Sequence, residues 1–146
     1  MFYSNSNIDT AEEFGRRLSA AERLAEAEGV ELVAAPYDHA EWLREVAAGF
    51  EGEPEKGRRC GRCFRYNLAK AARYAAEHGF DAYTTSLTVS PHKSSAMVFE
   101  AAGGDERFLA EDFKKRGGFA KSVARAAELG LYRQSYCGCE FSREDG

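Results

Sequence analysis

Four cysteines in two close pairs are the residues whose spacing most directly indicates chemistry. Cys60 and Cys63 stand in a Cys-Gly-Arg-Cys run, and Cys137 and Cys139 in a Cys-Gly-Cys run. A CxxC spacing lets two thiolates bind one metal ion or cluster, or cycle as a redox dithiol. Nearby arginines and the start of a helix favour the thiolate form of the first pair. The sequence therefore predicts a metal or redox site.

The second pair admits two interpretations that spacing does not separate. A disulfide between Cys137 and Cys139 would close a very small ring, and strained disulfides are easily reduced, which suits a catalytic pair that carries two electrons. Both thiols can equally be metal ligands. Together the pairs could also form an all-cysteine zinc site in a nucleic-acid-binding module without catalysis, although their separation is long for a compact zinc ribbon.

Basic residues gather near both cysteine pairs in a chain that is acidic overall. There are 20 basic and 24 acidic residues, so the formal net charge is -4. Local basic clusters suit phosphate contacts beside a site, whereas most charge runs are simply solvated faces. The clusters comprise Lys56, Arg58, Arg59, Arg62 and Arg65, then Lys114, Lys115 and Arg116, and finally Arg133.

The other candidate ligands are one aspartate and the histidines. Asp112 follows a predicted strand and is a candidate metal ligand or proton donor, although an aspartate there more often caps the next loop. His39, His78 and His92 show no ligand spacing, and we assign them no role. His92 nevertheless belongs to a predicted site loop, residues 88–93.

Helices and strands alternate in the segments that must position these residues. This alternation predicts a single α/β domain over residues 1–146 with a mainly parallel sheet. Ligands of such sheets bind beyond the carboxyl ends of the strands. The pattern predicts helices at 10–28, after Asp38, around Cys63 to Gly79, at 94–102 and at 119–129, and strands at 30–37, 80–87 and 107–113.

Nothing in the sequence indicates a membrane partner. No apolar run approaches the roughly 20 residues needed to cross a bilayer, and the first residues lack the regions of a signal peptide. We expect a cytoplasmic protein. Thiols are normally kept reduced in that compartment, so the cysteines favour metal or redox chemistry over structural crosslinks.

Five segments resemble, in order, the signature blocks of the QueH epoxyqueuosine reductase family. That resemblance implies reduction of epoxyqueuosine in tRNA to queuosine, the last step of queuosine biosynthesis, with a 4Fe-4S cluster as cofactor. It also implies a three-layer αβα fold like that of PP-loop nucleotide-binding proteins, with the tRNA anticodon stem-loop and an external electron donor as partners. The segments are FYSNSNI at 2–8, EPEKGRRCGRCF at 53–64, TTSLTVSPHK at 84–93, DFKKRGG at 112–118 and LYRQSYCGC at 131–139.

The resemblance also implies a role for each candidate residue. Cys60 and Cys63 match cluster ligands, Cys137 and Cys139 match the redox-active pair, and Asp112 matches a possible ligand of a second metal ion, iron or zinc. Members of the family normally begin with a first strand and a Cys-Cys-x-x-Cys segment that supplies two more cluster ligands. This sequence starts after that segment, so we expect an N-terminally truncated domain without its first strand.

Overall fold

The structure of the protein, a computed structural model, describes residues 1–143. Within this range the strands are β1 (Phe2–Tyr3) and β2 (Val33–Ala34), and the helices are α1 (Ala11–Glu28), α2 (His39–Trp42), α3 (Arg58–Glu77), α4 (Ser95–Ala101) and α5 (Gly118–Glu128). Strands and helices alternate as predicted up to α2, but in this described range α3, α4 and α5 follow without a further strand between them.

The cap residues of α1 confirm the predicted helix 10–28. The Thr10 hydroxyl accepts a hydrogen bond from the backbone N–H of Glu13 at 3.4 Å, which satisfies one free donor of the first turn. Gly29 closes the helix in the left-handed conformation at φ 65°, where glycine carries no steric penalty. Asp38 likewise accepts from the N–H of Glu41 at 2.9 Å and starts α2, which a π-helical turn (Leu43–Ala47) continues.

Strand pairing is parallel, as expected for an α/β protein, but the strands are much shorter than predicted. β1 pairs with β2 in the register Phe2 to Val33, and an isolated parallel bridge joins Tyr83 to Phe108. Residues 1–143 thus form a mixed α/β fold with a two-stranded parallel sheet, and they do not confirm the three-layer arrangement.

The predicted strands 80–87 and 107–113 are reduced to the single bridge between Tyr83 and Phe108, and the end of the first is a turn. Ser86–Val89 form a 3-10 turn, and the Thr85 hydroxyl accepts a hydrogen bond from the N–H of Leu87 at 3.2 Å. Threonine and serine side chains that bind neighbouring backbone groups compete with a sheet ladder. The local turn therefore replaces extended backbone.

Helix α3 lies between two apolar clusters, which places its cysteines. Cys63 packs against a cluster built around Trp42 and Cys139, whereas Cys60 packs against one built around Phe64 and α4. Residues three apart on a helix lie near the same face, so both thiols point toward the seam between the clusters. No helix within residues 1–143 is long and apolar enough to cross a membrane.

Candidate active site

All four cysteines line one cavity of about 50 Å³. Cys60 and Cys63 reach it from the first turns of α3, while Cys137 and Cys139 reach it from the loop that follows α5. We call it the cysteine cavity. The tertiary fold thus brings together two pairs that lie far apart in the sequence.

Every thiol of the cavity is free of disulfide bonds. Burial raises the pKa of Cys60, and the backbone N–H of Lys56 that donates to its sulfur only partly offsets this. Burial also raises the pKa of Cys63, and the nearby thiols of the second pair raise it further. Burial therefore opposes the thiolate form that the sequence predicts for this pair.

The neighbouring arginines offset burial only in part: Arg59 lowers the pKa of Cys60, but all three side chains are directed at other groups. Arg58 pairs with Glu53 on the surface. Arg59 donates through Nη1 to the carbonyl oxygens of residues 50, 51 and 53 at 2.7–3.3 Å. Arg62 donates to the carbonyl oxygens of residues 45 and 46. These cations hold the segment between α2 and α3, which in turn fixes where α3 begins.

The loop of the second pair is attached to the N-terminal segment through Gly138. Its carbonyl oxygen accepts a hydrogen bond from the backbone N–H of Asp9 at 3.0 Å. Gly138 has φ 140°, and a Cβ atom there would lie 3.0 Å from Arg17 Nη1 and 3.1 Å from the Ile8 side chain. Only glycine allows this close approach without strain.

A buried ion pair on α1 holds the same loop from behind. Arg17 donates through Nη1 to the carbonyl oxygen of Cys137 at 2.7 Å and through Nη2 to that of Tyr136 at 3.1 Å. Its Nε donates to Glu13 at 2.9 Å, and the Tyr132 hydroxyl donates to the same carboxylate at 2.8 Å. We call Glu13, Arg17 and Tyr132 the loop clamp.

The electrostatics of the loop clamp favour the ionised carboxylate. The side chains of Arg17 and Glu13 are only 9% and 8% exposed. Burial by itself raises the pKa of Glu13, but the hydrogen bonds from Arg17 and Tyr132 outweigh it and hold the pKa below the ordinary glutamate value. The clamp is thus a fully hydrogen-bonded charge pair, the arrangement in which a buried salt bridge is tolerated.

Sequence reasoning missed the loop clamp and one histidine. An i, i+4 pair such as Glu13 and Arg17 resembles an ordinary surface pair of a helix. His39 also has a structural position, since Nδ1 lies 2.8 Å from the carbonyl oxygen of Ser6 and Nε2 lies 3.1 Å from the carboxylate of Glu140. It links the N-terminal segment to the residue after Cys139.

The remaining histidines and Asp112 lie in different surroundings. His92 lines the cysteine cavity, which fits its place in the predicted site loop. His78 stacks on Tyr74 at the end of α3, with ring centroids 3.9 Å apart. The carboxylate of Asp112 accepts from the backbone N–H of Lys114 at 3.1 Å and does not line the cavity. It caps its loop, and its role as a ligand of a second metal stays a prediction.

Lys114 belongs to the structure of the site loop rather than to a phosphate-binding surface. Its Nζ donates to the carbonyl oxygens of Thr88 and Lys93 at 2.9 and 3.0 Å and to the hydroxyl of Ser95 at 2.6 Å. These three bonds use all three N–H donors of the lysine ammonium group. Lys114 therefore fixes the loop that brings His92 to the cavity.

The donor atoms of the cavity fit a sulfur-ligated metal group. Thiolates are soft ligands that select iron-sulfur clusters and zinc. Two buried donors at the same cavity, Trp42 Nε1 and Arg59 Nε, have no hydrogen-bond partner within residues 1–143 and could meet anionic sulfur. In that range no three Cys, His, Asp or Glu side chains are close enough to hold one metal ion, so a preformed all-cysteine zinc site is not seen.

An α/β fold that gathers two cysteine pairs at one cavity is the arrangement expected of a cysteine-dependent metal or redox protein. Within that class of protein, the chain belongs to the epoxyqueuosine reductase QueH family, whose family model matches residues 1–145. The resemblance seen in the five sequence segments is thereby confirmed.

Curated relatives from several organisms carry the same family name. The protein named epoxyqueuosine reductase QueH from Streptococcus pyogenes serotype M1 is 36% identical over 153 residues, covering 97% of this chain and 60% of the relative. The protein of the same name from Dehalococcoides mccartyi is 35% identical over 148 residues, covering 97% of this chain and 77% of the relative. The one from Acinetobacter baylyi is 33% identical over 151 residues, covering 99% of this chain and 69% of the relative. The chain spans 60–65% of the length of its streptococcal and staphylococcal relatives.

Proposed function

We propose that the protein reduces epoxyqueuosine in tRNA to queuosine, with the cysteine cavity as the reaction centre. The observation that carries the proposal is the meeting of both cysteine pairs at one cavity in a chain of the QueH family. The names of the relatives describe this reductase activity. The three-layer fold and the cytoplasmic location implied by the family are part of the same proposal.

The second cysteine pair supplies the electrons in this proposal. Removing the epoxide oxygen breaks two C–O bonds, forms a C=C bond and releases water, which consumes two electrons and two protons. Oxidation of the Cys137 and Cys139 thiols to a disulfide releases two electrons and two protons, so the step is balanced. An external electron donor then reduces the disulfide. The position of both thiols at the same cavity supports this assignment.

The first pair holds the metal group in this proposal. Cys60 and Cys63 offer two sulfurs on one face of α3, beside the thiols of the second pair. A 4Fe-4S cluster bound there would supply Lewis-acid or one-electron chemistry next to the epoxide. Asp112 as ligand of a second metal, iron or zinc, remains the least supported part, because Asp112 does not line the cavity.

The tRNA contacts involve fewer basic residues than the sequence indicates. Arg59 is buried, Arg62 is bound to backbone carbonyl groups, and Lys114 is enclosed by the site loop. Phosphate contacts of the anticodon stem-loop therefore fall to the exposed members of the clusters. These are Lys56, Arg58 and Arg65 around the start of α3, Lys115 and Arg116 before α5, and Arg133 before the second pair.

Serine substitution of the second pair tests the proposed function. In an anaerobic assay with epoxyqueuosine-containing tRNA and excess reductant, Cys137→Ser and Cys139→Ser should each lose turnover while they keep the iron and sulfide content of the unaltered chain. Glu12→Gln is the control, since the Glu12 side chain is 76% exposed and does not line the cysteine cavity. Full activity in either serine variant contradicts the dithiol assignment, and zinc without iron or sulfide favours the zinc-binding module.

A further inference from the structure

Two buried hydrogen-bond donors stand without partners beside the first cysteine pair. The residues Trp42 and Arg59 are each only 1% exposed. Neither the indole Nε1 of Trp42 nor the guanidinium Nε of Arg59 makes a hydrogen bond within residues 1–143. Burying a donor without an acceptor is unfavourable, and such groups are rare in folded proteins. Their presence calls for a specific explanation.

Both residues line the cysteine cavity together with the first cysteine pair. Trp42 belongs to the apolar cluster against which Cys63 packs. Arg59 directly precedes Cys60 in the first turn of α3. A neutral thiol is only a weak acceptor for such N–H groups.

Neither donor can readily turn to another acceptor. The indole ring of Trp42 stacks on His39 at a centroid distance of 5.4 Å and packs against Val46 and Ala47. The Arg59 guanidinium lies 4.6 Å from the centre of the Phe141 ring while its Nη1 is held by backbone carbonyl groups. An acceptor for these N–H groups must therefore come into the cavity.

We propose that Trp42 and Arg59 donate hydrogen bonds to sulfur atoms of the thiolate-ligated metal group that Cys60 and Cys63 hold. Thiolate and sulfide are stronger acceptors than a neutral thiol because they carry negative charge. Such N–H to sulfur bonds stabilise the more negative, reduced state of a cluster and so raise its reduction potential. The two residues position and tune the metal group, and this inference rests on the proposed function for the presence of that group.

Variants that remove the donor but keep the shape test the inference. Trp42→Phe retains an aromatic ring without the N–H, and Arg59→Lys retains the charge without Nε. Arg62→Lys is the matched control, because Arg62 is also held by backbone carbonyl groups but does not line the cavity. Each chain is reconstituted anaerobically with iron and sulfide, and its iron content is measured.

The deciding readouts are the reduction potential and the change of iron-sulfur vibrational frequencies between light and heavy water, neither of which requires turnover. Trp42→Phe and Arg59→Lys should both shift the potential to more negative values and reduce the solvent-isotope change, whereas Arg62→Lys should alter neither. Unchanged values in Trp42→Phe would overturn the inference even if Arg59→Lys does not fold. Failure of the unaltered chain to take up iron and sulfide would instead remove the proposed metal group itself.

Discussion

Glu13 shows how a single residue can be misjudged from its neighbours in the sequence. Glu13 lies three residues after Thr10, whose hydroxyl caps the helix by accepting a hydrogen bond from the Glu13 N–H. It also lies four residues before Arg17, with which it forms an ion pair along the helix. In the structure the carboxylate is buried and also accepts from Tyr132. Its ionised form is therefore linked to the loop that carries the second cysteine pair.

The lowered pKa of Glu13 predicts a loss of stability in acid. A depressed carboxyl pKa contributes stability above the unfolded-state value, here 4.5, and that contribution disappears as the pH falls through the folded-state pKa. Glu13→Gln should therefore lower the free energy of unfolding at pH 7 by about 1.5–3 kcal/mol, the contribution of charged hydrogen bonds. The difference from the unaltered protein should shrink below pH 4.5, as followed by urea titration.

Glu12→Gln on the same helix turn is the control for this measurement. Its side chain is 76% exposed and pairs with Arg16 at the helix surface. Exposed helical pairs contribute about 0.3–0.5 kcal/mol, so its effect should be small. A Glu13→Gln penalty that stays constant between pH 7 and pH 3 would contradict the account.

At the level of elements, helix α1 acts as the support for the Cys137–Cys139 loop. Arg17 binds two successive carbonyl groups of that loop, and Gly138 lies against the same guanidinium. Cys139 is only 6% exposed as a result of this packing and of the Trp42 cluster. The geometry of the second pair thus depends on a helix more than 100 positions earlier in the chain.

Loosening that support should expose the second pair. Arg17→Lys keeps the charge but loses the planar fork that reaches two carbonyl groups. We expect alkylation of Cys139 by iodoacetamide to accelerate about tenfold, the equivalent of ~1.4 kcal/mol in the opening equilibrium of the loop. Peptide mass spectrometry gives the rate at each cysteine. Glu12→Gln, with a side chain that is 76% exposed, should leave the rate unchanged, and equal rates in both variants would argue against the clamp.

The elements also show which features are local enough to predict. Thr10, Gly29 and Asp38 fix helix ends through contacts within a few residues, so their helices were predicted correctly. Strands depend on partners far away in the sequence, and the Thr85 turn shortens one of them. The sequence could not reveal that Arg59 is buried beside the cysteines, because an arginine-rich segment has the same appearance whether it binds phosphate or its own backbone.

For the whole molecule, a net charge of -4 means that nucleic acid must be attracted by a local surface. The exposed basic residues at the start of α3 lie next to the cysteine cavity, since Lys56 lines it and Arg58 follows closely. Arg58 has a side chain that is 78% exposed. This arrangement predicts that binding of tRNA weakens steeply with salt.

Arg58→Gln should reduce the slope of log K against log salt by about one and weaken binding of the anticodon stem-loop at all salt concentrations. Arg73→Gln is the matched control, because Arg73 is exposed on the same helix, roughly 22 Å away at 1.5 Å per residue. Fluorescence anisotropy over a range of salt concentrations measures both slopes. Salt-independent binding, or equal losses in the two variants, would contradict the predicted surface.

The central claim is that electrons for epoxide reduction come from the thiols that the fold collects at one cavity. The most direct measurement is a single-turnover reaction of the pre-reduced protein with epoxyqueuosine-containing tRNA and no external donor, followed by nucleoside analysis and disulfide mapping. The account predicts one queuosine formed for each Cys137–Cys139 disulfide that appears. Queuosine formed while both thiols remain reduced would contradict it.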